Sequence, residues 1–214
     1  MFTPRTLLFL LCAAGASLAA ATTPDELIRP IQDQWADIKY RQPEKRQAEQ
    51  YNKLATEAHR LAAEHPGVPE IMIWEGIVLS SEAGAKGGLG ALGLAKDARQ
   101  LLDEALRQND RALAGSAYTS LATLYAKVPP WPVGFGDKQK ADEYFRKALA
   151  INPGGIDPNF FYGEYFVERD RHAEARPYLE AALKAPPRPG RELADSGRRQ
   201  EVQALLAKVT KEAK

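Results

Sequence analysis

Cysteine is almost absent: the 214 residues hold one, Cys12. It lies inside an apolar run near the N-terminus, without small residues just before it. Neither a lipid-attachment site nor a disulfide framework is therefore expected. Histidine is scarce too, and His59, His65 and His172 do not stand at metal-ligand spacing. Neither sign of charge is in surplus, since 29 basic side chains face 28 acidic ones. A general nucleic-acid binder would show a basic excess or stripe, so no nucleic-acid partner is expected. No apolar run beyond the N-terminal segment is long enough for a stable membrane span. Signatures of chemistry are missing as well. There is no Gly-x-Ser-x-Gly, and Lys86 is followed by Gly87 where a phosphate loop requires Ser or Thr. No cofactor, no metal and no enzymatic role are expected.

Residues 1–21 differ from the rest. Arg5 is their only charge, an apolar run extends to Ala14, and small residues follow. This pattern predicts a secretory signal peptide, cleaved after Ala19 or Ala21. Cleavage removes Arg5 and Cys12, leaving 28 basic and 28 acidic side chains and no thiol. The expected product is periplasmic or secreted, and it must draw its stability from core burial.

The remainder reads as helices. Thr23 and Glu26 stand at capping-box spacing with Pro24 between them, and Leu27, Ile31, Trp35 and Ile38 follow at helical intervals. Arg41-Gln42-Pro43 breaks that helix. A second shows Ala48, Tyr51, Ala55, Ala58 and Ala62 on one face and stops at His65-Pro66-Gly67. Residues 22–66 thus form an N-terminal helical pair.

Residues 67–189 carry a pattern that recurs. The plainest copy has Gly163, Ala175, Leu179, Ala182 and Pro187; a second has Ala122, Ala141, Phe145, Ala148 and Pro153; a third has Gly76, Ala98, Leu102 and Ala105. Small side chains at these offsets suit two antiparallel helices at their closest approach. Two copies carry inserts. The first insert, residues 82–90, is glycine-rich and reads as a flexible loop. The second, residues 128–137, sets Trp131 between Pro130 and Pro132 and ends on Asp137, a candidate N-cap. Pro177 predicts a late start or a bend in its helix. Beyond a proline-rich break, residues 190–214 form one more helix, apolar at Val202, Leu205, Leu206 and Val209, expected to cap the open end.

These spacings resemble the tetratricopeptide (TPR) repeat, a helix-turn-helix unit of 34 residues in the family at large. The resemblance implies an all-α, TPR-like superhelix of about nine helices with a C-terminal capping helix. It implies a concave surface lined by the first helix of each pair, where TPR domains bind peptides or proteins. The exported character and the inserts also resemble periplasmic TPR components associated with TRAP-type transporters. That resemblance implies an accessory subunit or carrier enclosing a small apolar ligand.

The family geometry directs Glu70, Ile73, Ile77 and Ser80 into the groove, then Ser116, Thr119, Thr123 and Ala126, then Asp157, Phe160, Glu164 and Val167. The set is mixed and mostly uncharged, unlike a carboxylate clamp rich in Lys, Arg or Asn. It predicts an apolar or neutral segment as ligand, or a groove filled by the chain's own N-terminal helices. Phe160 and Trp131 are the expected aromatic anchors. Glu75 and Glu164 lie beside the repeat glycines, where burial would raise their carboxyls for acid–base work or for holding a polar ligand group; otherwise they pair with arginines such as Arg99, Arg146 or Arg176, or face solvent.

Overall fold

The computed structural model describes residues 22–212. The expected signal segment, with Arg5, Cys12, Ala19 and Ala21, lies outside them. Among the described residues there are nine α-helices, one short 3-10 turn and no named strand. The helices are α1 (Pro24–Arg41), α2 (Glu44–Glu64), α3 (Pro69–Lys86), α4 (Gly88–Gln108), α5 (Ser116–Lys127), α6 (Lys138–Ile151), α7 (Ile156–Val167), α8 (His172–Lys184) and α9 (Glu192–Glu212).

Local signals set most boundaries. The Thr23 hydroxyl accepts from the Glu26 N–H while the Glu26 carboxylate accepts from the Thr23 N–H, which completes the capping box of α1. Asp137 accepts from the N–H groups of Gln139 and Lys140 at 2.9 and 3.0 Å and so starts α6.

Helices pair as α1/α2, α3/α4, α5/α6 and α7/α8, and α3, α5 and α7 stack in sequence. The repeat glycines mark where paired axes come closest. A methyl group on Gly76 would lie 2.9 Å from Leu102, and one on Gly163 would lie 2.7 Å from Leu179. Leu102 and Leu179 occupy the same place in the two pairs, and both are fully buried. One apolar core runs through α3 to α9, and a second, around Trp35, Tyr51 and Trp74, joins α1 and α2 to α3.

Two expectations are corrected. The glycine-rich insert is not a loop: α3 continues to Lys86 and α4 begins at Gly88, with Gly87 and Gly88 at positive φ making the reversal. The added residues lengthen both helices, because Glu82 and Ala83 are buried and Asn52 of α2 donates to Glu82 at 3.0 Å. Pro177 does not delay α8, which starts at His172. Pro177 is exposed, as is Ala173 one turn earlier, so the missing backbone bond falls on the outer face of α8.

The far end of the chain returns to its beginning. Helix α9 packs on α7 and α8 and also touches α1. It is more than an end cap, because it closes the stack upon itself.

Candidate functional site

The expected groove is covered by the chain at four of its twelve positions, and the other eight are half-buried. Ile73 is fully buried, and Thr119, Phe160 and Val167 are buried as well. Ile77 is half-buried, packed against both apolar cores. Thr123 is half-buried, and its hydroxyl donates to the Thr119 carbonyl at 2.9 Å instead of facing a ligand. The expected exposure of Phe160 is not found. The Arg198 guanidinium of α9 lies 4.3 Å from its ring centroid and 4.5 Å from that of Phe161.

Arg198 is the hub of the closure. Its Nε donates to Asp157 at 3.0 Å and its Nη1 to Glu201 at 2.7 Å. Glu201 in turn accepts from the Tyr40 hydroxyl and pairs with Lys39, both on α1. Arg188 bridges Asp157 and buried Asp195, each at 2.7 Å. Burial alone would raise the Asp157 carboxyl, but Arg198 and Arg188 outweigh it and hold the group at about 2. Burial likewise pushes the Tyr40 phenol well above its ordinary value. Every charge of this cluster has a partner, so it is built to hold α1, α7 and α9 together. Among its members the sequence reading named only Asp157. Arg198 and Asp195 carry no local signal that marks a charge as buried.

The paired glutamates part company. Glu75 is buried and lies 2.8 Å from Nδ1 of His59 on α2, so its partner is a histidine and not the expected arginine. Glu164 is half-buried and pairs with Lys127 at 3.0 Å; Lys127 also pairs with Glu168. Burial tends to lower the Lys127 ammonium, but the two carboxylates prevail and raise it. Glu75 and Glu164 thus reach separate partners on separate helices and share no common cavity. Among the described residues no group of three or more His, Cys, Asp or Glu is placed to hold a metal ion.

What stands free is Trp131, with 86 % of its surface exposed and Val133 close by in the chain at 56 %. The loop bearing it is stiff. Gly134 N–H donates to the Pro130 carbonyl at 3.1 Å, Gly136 N–H to Pro129 at 2.9 Å and Asp137 N–H to Tyr125 at 2.9 Å. Phe135 anchors the loop from below, edge-on to Tyr125 and 4.5 Å from the Arg99 guanidinium of α4. Between residues 131–135 and the outer face of α4 lies an open cleft of about 480 Å³. Lys96, Asp97, Arg99, Gln100, Asp103 and Arg107 form its α4 wall, none of which stood out as a binding group in the sequence. Their spacing along a polar helix face looks like ordinary solvation until the loop is seen opposite.

Stacked antiparallel helix pairs define this molecule as an α-solenoid. A family model described as "Tetratricopeptide repeat" matches residues 134–154, which span the end of the Trp131 loop and all of α6. That match supports the TPR family and, with it, a role in protein–protein interaction. No curated protein matches the chain.

Proposed function

We propose that this chain is a non-catalytic scaffold, exported to the periplasm, that binds a protein or extended peptide at the Trp131 loop. One observation carries the reading: none of the twelve concave positions is fully exposed and four are buried, while a hydrogen-bonded loop joined to the matched repeat presents an indole to solvent. A large exposed aromatic on a stiff backbone loses little conformational freedom on binding and gains apolar burial. Export rests on the composition of residues 1–21. The other expectation, a subunit that encloses a small apolar ligand for a TRAP-type uptake system, rests on resemblance alone. The cleft favours the scaffold, since charged and polar side chains make its α4 wall.

In-cell crosslinking tests this. A photo-crosslinking amino acid replacing Trp131 is expected to capture one protein species. The same group at Glu57, on the exposed face of α2, is expected to capture none. Absence of any adduct from position 131 and equally from the concave position Thr123 would sink the scaffold reading.

A further inference from the structure

Resting on that reading, the geometry points to the chemistry of the partner: an acidic segment with an apolar residue beside its carboxylates, docked in the cleft between α4 and residues 131–135. Three bases and two acids line this cleft. Arg99 lies over the Phe135 ring, and its buried Nε has no hydrogen-bond acceptor among the described residues. Asp103 comes no nearer to that nitrogen than 4.0 Å, which leaves the guanidinium poorly neutralised. Lys96 is exposed and pairs with no carboxylate among the described residues, and Arg107 reaches only its own neighbour, Glu104. Bases thus outnumber acids by one along the α4 wall, with Lys96 and the Arg99 guanidinium its least neutralised groups, while Trp131 and Val133 supply an apolar rim opposite. Carboxylates match those two groups, and an aliphatic or aromatic side chain matches the rim. Asp97 and Asp103 work against a densely charged polyanion, so an acidic peptide fits better than a nucleic acid.

Selection of a random peptide display library on the full chain reads the preference directly. The selected sequences are expected to be enriched in Asp and Glu next to an apolar residue. A fluorophore-labelled selected peptide is expected to bind Lys96→Glu and Trp131→Ala each about tenfold more weakly than the parent chain. Raising the salt from about 0.05 M to about 0.5 M should weaken binding by a similar factor. Both side chains are exposed, so unchanged helical circular dichroism and melting should accompany the loss. Enrichment of basic or neutral sequences, no enrichment, or binding indifferent to Lys96→Glu would overturn the proposal. If neutral peptides bind and are lost only in Trp131→Ala, the acidic chemistry fails while the scaffold reading stands. If crosslinking at positions 131 and 123 also finds no protein, both fall.

Discussion

Gly163 shows how a single side-chain position sets the distance between two helices. With Leu179 Cδ2 placed 2.7 Å from where a methyl carbon would sit, α7 and α8 must part or Leu179 must leave its rotamer. Gly163→Ala is therefore expected to cost about 1–3 kcal/mol, measured by denaturant unfolding. Gly76 was matched to Gly163 from sequence offsets alone, and the two glycines meet equivalent leucines. That part of the repeat was legible because a small residue at the crossing is a local requirement. Phe160 was not legible in the same way. Its spacing said only that it faces inward along the groove, and the residue that covers it lies 38 positions later. Glu75 is similar, since it is buried and its partner, the exposed His59, comes from the preceding helix pair.

At the level of elements, starts and stops followed local chemistry. The capping box of α1, the break at Gln42 and the Asp137 cap of α6 are all formed by residues within a few positions of one another. Asp137→Ala is expected to lower stability by about 1 kcal/mol by leaving two N–H groups of α6 without their acceptor. Urea denaturation would show it, and an unchanged midpoint would remove the cap from the account. The glycine-rich insert shows the opposite case. Glycine suggests mobility when seen alone, yet Glu82 and Ala83 are buried, Asn52 of α2 donates to Glu82, and α3 runs on to Lys86. Tertiary burial overrode propensity there.

For the whole molecule, the closure of α9 on α1 and α7 matters most. Arg198→Ala would remove one partner each from Asp157 and Glu201, leaving Arg188 on the first and Lys39 on the second. A loss of about 1–3 kcal/mol in thermal or denaturant unfolding is expected. Acid should act on the same cluster. Asp157 is held at about 2, below the roughly 3.9 of an unfolded aspartate, so its contribution is complete above about pH 4. As pH falls from about 4 toward about 2 that contribution is lost, because the unfolded chain then binds a proton that the folded chain resists. Unfolding followed through this window should show a decline that is smaller in Arg198→Ala. Equal declines would disconnect Asp157 from the closure.

The order of helices, their caps and the repeat register were determined by the sequence itself, since each depends on spacing within one or two turns. The all-α architecture followed from those same short intervals. Only the tertiary structure decided that Phe160 is covered by Arg198 and that the last helix reaches the first. It also decided that Trp131 lies across a cleft from the charged face of α4. Those outcomes depend on contacts between residues far apart in the chain, and neither periodicity nor composition specifies which distant surface a given face will meet.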